Sequence, residues 1–231
     1  MQSRVILNAK ENTGEVFVYD AIGEWFGGVS AKSIAEDLKR LKDVKHVDVR
    51  INSPGGEVFD GLAIYNQLIR FKGKIHTHID GMAFSIASVI ALAGDEVHIA
   101  DNASMMIHDP WDPYGGNAAE KRKQADVLDR IADQIVTVYA GRTKAKDAEI
   151  RELMAAETFL NADEATKLGF ATSVVESKRV AAAAFDPKLM PYMNSPRARD
   201  WVDAHGTVAQ WEKTAVARKR LQDQLTYLKC K

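Results

Sequence analysis

The chain has 231 residues, enough at roughly 150 per domain for one domain with an appendage. Its 46% hydrophobic and 27% charged residues match a globular protein and exclude disorder along the whole length. A single cysteine, Cys230, excludes an internal disulfide framework and a cysteine-rich metal site, and a net charge of −1 argues against bulk electrostatic capture of nucleic acid.

The opening Met1-Gln2-Ser3-Arg4-Val5-Ile6-Leu7 has one positive charge and too short an apolar run for a signal peptide. Val5-Ile6-Leu7 and Val16-Phe17-Val18-Tyr19 are rich in β-branched and aromatic residues and read as strands. Ser30 reads as an N-cap, with Ile34, Leu38 and Leu41 following at helical spacing. Residues 47–51 alternate as a strand and run into Asn52-Ser53-Pro54-Gly55-Gly56, a strong turn signal. Residues 58–71 return to helical spacing through Leu62, Tyr65, Leu68 and Ile69.

Residues 75–79 read as a strand with His76 and His78 on one face, and Gly81-Met82 as a turn. Residues 83–92, apolar almost all round, read as a buried helix. The longest apolar stretch, residues 82–94, is too short for the roughly 20 residues of a membrane span. The expected setting is a reducing cytoplasm, with no membrane partner. Residues 96–99 and 105–107 read as short strands. Together these segments predict an α/β fold of repeated β-α-β units around a mostly parallel sheet.

Residues 114–140 read as one long projecting amphipathic helix, with a stripe of Val127/Leu128, Ile131, Ile135 and Val138. Such a helix suits either core packing or an oligomer contact. Asn161-Ala162-Asp163-Glu164 is a capping box, and Gly169 ends the short helix it starts. Three prolines, Pro187, Pro191 and Pro196, then mark a linker. The expected division is a domain over 1–180 and a linker with a helical tail over 181–231. The tail carries a charge of +4, against −5 for the rest.

Three features carry chemistry. In the Asn52–Gly56 loop, two glycines let the backbone approach a ligand, and the amides at the following helix start suit a phosphate or an oxyanion. A tight turn needing positive φ explains the same residues. Around Gly81-Met82-Ala83-Phe84-Ser85-Ile86-Ala87-Ser88 a serine sits at a strand-to-helix turn, as in a nucleophile elbow, although Ala83 and Ala87 replace its glycines. A helix cap is the plainer role for that serine. Met106-Ile107-His108-Asp109-Pro110 places a histidine at a strand end. Serine and histidine on neighbouring β-α-β elements supply a weak nucleophile and the base that takes its proton.

Taken together, these words resemble the proteolytic subunit of the Clp protease, with a weaker match at Phe159-Leu160-Asn161-Ala162-Asp163-Glu164-Ala165 and Leu168-Gly169-Phe170. The resemblance covers roughly residues 15–178. Ala21-Ile22-Gly23, Trp25-Phe26-Gly27 and the words from Val58 to Asn66 and from Leu92 to Val97 look closer to the head maturation proteases of tailed phages and prophages.

The resemblance implies a serine endopeptidase of Clp protease and crotonase-like fold that assembles into homo-oligomeric rings. It implies Ser85 as nucleophile, His108 as general base, and the backbone N–H groups of Gly56 and Ile86 as the oxyanion hole. The family's third member is an aspartate. Glu157 stands at that position here, and Asp109 is the rival. Neighbours on an extended chain point to opposite faces, so Glu157 is favoured over a residue adjacent to His108.

The implied substrates are proteins or peptides. In the phage branch they are scaffold or capsid segments, cut without ATP in the host cytoplasm or the assembling prohead. In the housekeeping branch an ATP-driven unfoldase supplies them. A crotonase-like enzyme acting on a CoA thioester and a catalytically silent ring component are the readings from other classes. His76 and His78 have a chelating spacing, but no third or fourth ligand is evident. No metal and no cofactor are expected.

Overall fold

Residues 4–8, 11–113 and 115–177 are described in the computed structural model. The linker and tail expected over 181–231 lie outside them. Strands β1 (Arg4–Asn8) and β2 (Thr13–Val18) pair antiparallel. From β2 onward the chain repeats strand, helix, strand: α1 (Ala31–Arg40), β3 (His46–Ser53), α2 (Val58–Ile69), β4 (Lys74–Phe84), α3 (Ile86–Ala91) and β5 (Glu96–Ala100). Strand β6 (Ser104–Ile107), the long helix α4 (Ala118–Arg142), α5 (Asp147–Ala155), β7 (Thr158–Asn161), α6 (Ala162–Leu168) and β8 (Ser173–Val175) complete the described residues.

The main sheet runs β1-β2-β3-β4-β5-β8, parallel from β2 to β8. Parallel neighbours joined by helices are what the alternating patterns predict, and this α/β architecture with a long helix agrees with that reading.

Strand β4 serves two neighbours. His76 to Ile79 pair with β5, and Met82 to Phe84 pair with β6. β6 in turn pairs antiparallel with β7. The turn expected at Gly81-Met82 is therefore extended strand, and the helix expected from residue 83 begins at Ile86. The partner strand β6 gives residues 82–84 a ladder that local pattern does not reveal. Gly81 serves close approach instead: a Cβ there would stand 2.7 Å from Asn52 Oδ1, which accepts from the Met82 N–H at 3.2 Å.

One face of the sheet makes the core. Val47, Val49, Ile51, Ile75, Ile79, Val97 and Ile99 are buried against Ile34, Ile64, Leu68, Val89 and Ile90 from the helices. Each such aliphatic side chain contributes roughly 1.5–3 kcal/mol by leaving water. The alternate residues of β3, β4 and β5 are partly exposed and polar, so the sheet is apolar on one side only.

Caps follow the sequence. Ser30 caps α1 in a capping box with Ser33, and Asn161 and Glu164 cap α6 reciprocally at 2.9 Å. Helix α4 begins at Ala118 rather than at 114. Gly115 and Gly116 are poor helix formers, and Asn117 caps the helix with Glu120 closing the box. Only the C-terminal half of α4 is packed, through Ile131, Ile135, Val136 and Tyr139. Val127, expected in the buried stripe, is 52% exposed, so the N-terminal half stands clear of its own fold. Among the described residues, no helix is long and apolar enough to cross a membrane.

Candidate active site

Strand β4 delivers Ser85 to a sharp junction with α3. Its backbone has φ 54° and ψ −130°, a conformation L-residues rarely adopt and that costs on the order of 1–3 kcal/mol. Several contacts hold it there. The Ser85 N–H donates to Met106 O at 2.9 Å, tying it to β6. The Ser85 carbonyl accepts from the Ser88 N–H at 3.0 Å and from Ser88 Oγ at 2.5 Å. Ser88 has one hydroxyl proton, which goes to Ser85, so the Tyr139 hydroxyl donates to Ser88 Oγ across their 2.7 Å contact. Helix α4 thus supports the Ser85 turn through a buried pair. Sequence reasoning missed this pair, although a serine inside an apolar helix was its visible signal.

His108 follows directly on β6. Because β6 pairs with the end of β4, the two strand ends bring the side chains together: His108 Nε2 lies 2.8 Å from Ser85 Oγ. Burial pushes the imidazole down to about 4, so it is neutral at pH 7. In the tautomer carrying its proton on Nδ1, Nε2 accepts the Ser85 O–H.

Glu157 lies between α5 and β7 with a left-handed backbone, φ 49°. Its N–H donates to Met154 O at 2.9 Å. The β6–β7 register pairs Ile107 with Thr158. Glu157 and His108 are each the next residue beyond that last pair. Asp109, the rival, is exposed. Burial raises its carboxyl, while Arg151 lowers it and Asp129 raises it further. Its charged neighbours are therefore those of α4 and α5. Glu157→Ala is expected to lower kcat/KM by at least a hundredfold and Asp109→Ala by less than threefold, the scale of an orienting partner against a surface charge. Steady-state kinetics on the two variants decide it, and the reverse order would exchange them.

The glycine loop closes over Ser85. At Gly55, φ 90°, a Cβ would stand 2.6 Å from Phe84 O and from Ser85 Cβ, and 3.3 Å from the Ile86 nitrogen. At Gly56, φ 148°, it would stand 2.2 Å from Ile22 O. The loop is stitched to Ile22, whose N–H donates to Gly55 O at 2.8 Å and whose carbonyl accepts from the Glu57 N–H at 2.9 Å. Gly56 N–H takes no part in that stitching, and Ile86 N–H, at the first position of α3, has no intrahelical partner. Among the described residues, neither amide donates a hydrogen bond in this loop, and Ile86 N–H directly follows the serine.

This arrangement can do acyl transfer: a serine hydroxyl, a neutral base on it, and backbone donors beside it. Ser85, His108, Ile86 and the glycine loop meet at one junction, and Glu157 lies just beyond the end of the β6–β7 ladder.

The comparisons with known proteins agree with this architecture. The sequence pattern of the family described as Clp protease matches residues 6–178. Over 137 residues the chain is 31% identical to the ATP-dependent Clp protease proteolytic subunit of Deinococcus radiodurans, covering 58% of this chain and 67% of that one. Over 168 residues it is 31% identical to the ATP-dependent Clp protease proteolytic subunit 1 of a Synechococcus species, covering 71% and 85%. With a β-α-β core, a projecting helix and a match across three quarters of its length, the chain belongs to the Clp protease family.

Proposed function

We propose that the chain is a serine endopeptidase that works as a self-assembled oligomer, with Ser85 as nucleophile, His108 as general base and Glu157 orienting the imidazole. The observation that carries this is the 2.8 Å contact between Ser85 Oγ and a neutral His108. His108 takes the hydroxyl proton as Ser85 Oγ attacks the scissile carbonyl. The carbonyl oxygen becomes an oxyanion that accepts from the N–H groups of Gly56 and Ile86. His108 then gives the proton to the leaving amine, and a water repeats the sequence to release the acid. Hydrolysis of a fluorogenic peptide by wild type and Ser85→Ala tests the reading: turnover by wild type alone supports it, and equal rates reject it.

The finer reading is processing of phage capsid or scaffold proteins during head maturation, without ATP, in the host cytoplasm or prohead. The words Ala21-Ile22-Gly23 and Val58-Phe59-Asp60-Gly61 support it through their resemblance to that branch. The two relatives, both named as ATP-dependent subunits, favour a second reading in which an unfoldase feeds the chamber. Cleavage of an unstructured protein without ATP or a partner, in a reaction stopped by Ser85→Ala, separates the first from the second.

Assembly follows from surface chemistry. Phe59, Leu7, Val127 and Trp111 are 59%, 55%, 52% and 44% exposed. Exposed side chains of this size, on β1, α2, α4 and the loop before α4, suit contacts between copies. The native mass is expected at a multiple of 25.5 kDa, well above a dimer. Light scattering giving a monomer would contradict it.

A further inference from the structure

The open face of the sheet collects four of the chain's six histidines. Sequence spacing pairs His76 with His78, but the register does something else. Asp48 of β3, His76 of β4 and Glu96 of β5 stand in one row, and Arg50, His78 and His98 stand in the next. His46, two residues before Asp48, adds its ring 4.2 Å from that of His76. One ligand atom from each of His46, Asp48 and His76 lies within 4.8 Å of the others. His76, Glu96 and His98 meet the same condition. The third ligand that spacing along one strand does not show comes from the neighbouring strand.

We propose that His46, Asp48 and His76 form a binding site for a divalent transition-metal ion of the zinc class, separate from the Ser85 centre. Two imidazoles and one carboxylate are the donor set that borderline ions such as Zn²⁺, Ni²⁺ and Co²⁺ take, with water completing the shell. His76 is common to both groups, and no hydrogen bond occupies its ring among the described residues.

Asp48 is prepared for the role. Its Oδ1 accepts from His46 Nε2 at 2.9 Å and from His78 Nε2 at 2.7 Å, and among the described residues Oδ2 has no hydrogen-bond partner. His78 fixes the orientation of this carboxylate as an outer partner does in metal sites. Glu96 is 55% exposed and carries no comparable fixing bond, which ranks the second group below the first. An ion at the first site would clamp β3 to β4. In the same sheet β4 continues to Ser85.

Zn²⁺ titration of the full chain, stripped with EDTA and then freed of it, tests the site by calorimetry and thermal unfolding. Wild type should bind one ion per chain and unfold at a higher temperature with zinc than without. His76→Gln and His46→Gln should weaken binding at least tenfold while unfolding like wild type in the presence of chelator; His98→Gln should weaken it less. Co²⁺ should give ligand-field bands without a thiolate charge-transfer band, which separates this site from Cys230. Failure of wild type to bind, unchanged binding in His76→Gln, or loss in His98→Gln with retention in His46→Gln would each overturn the assignment.

Discussion

Alanine at His108 is expected to lower kcat/KM for peptide hydrolysis by about ten-thousand-fold or more while the chain remains folded. The imidazole is the only ring nitrogen that hydrogen-bonds Ser85 Oγ among the described residues, and a serine hydroxyl at neutral pH is a poor nucleophile without a base. The residue sits at a strand end beside a loop rather than in the middle of the core, so truncation removes chemistry more than packing. Circular dichroism and native mass report the fold, and peptide turnover reports the chemistry. Retained turnover would remove His108 from the mechanism.

The pH profile adds a second handle on the same ring. Only the unprotonated imidazole accepts the serine proton. Burial lowers its folded-state value from 6.5 to about 4, so the active form persists as pH falls past 6.5 and is lost through about 4. The acid limb of kcat/KM is therefore expected well below the ordinary histidine range. A limb near 6.5 would mean the ring is hydrated in solution or charge-stabilised there.

The second large effect is expected at Gly56. Alanine would put its Cβ 2.2 Å from Ile22 O and 2.9 Å from Ile22 N, both backbone atoms that cannot swing aside. It would also hold φ at 148°, which L side chains rarely adopt. The loop must shift, and with it the Gly56 amide proposed as an oxyanion donor. Loss of one oxyanion donor costs roughly 3 kcal/mol of transition-state stabilisation, so kcat should fall by about a hundredfold to a thousandfold. The melting temperature should also fall, because the Ile22 stitching loosens. Stopped-flow acylation and thermal unfolding on Gly56→Ala measure the two effects. A destabilised variant with normal kcat would free Gly56 of the oxyanion role.

Much of this was legible in order along the chain. The β2-to-β5 run follows from apolar alternation and helical spacing, because each strand buries one face and each helix covers it. The Ser85 and His108 words stand at strand ends, where the register then brings them together. What local pattern hid was non-local. Strand β4 continues past Gly81 only because β6 lies beside Met82 to Phe84. Strands β7 and β8, of 4 and 3 residues, are too short for a period to show. The position of Glu157 depends on β7 pairing with β6, and the histidine cluster depends on three strands in register. The Tyr139–Ser88 pair crosses from α4 to α3, 51 residues apart, and leaves no spacing signal.

Labelling by a fluorophosphonate probe tests the activated serine most directly, with wild type beside Ser85→Ala at equal concentration. The probe reacts only where a base and an oxyanion site raise a serine's nucleophilicity. Ser85 hydrogen-bonded to His108, with the proposed oxyanion donors Gly56 and Ile86, predicts label on wild type and none on the variant. Equal label on both would place the reactive residue elsewhere, and no label on assembled wild type would contradict an activated Ser85.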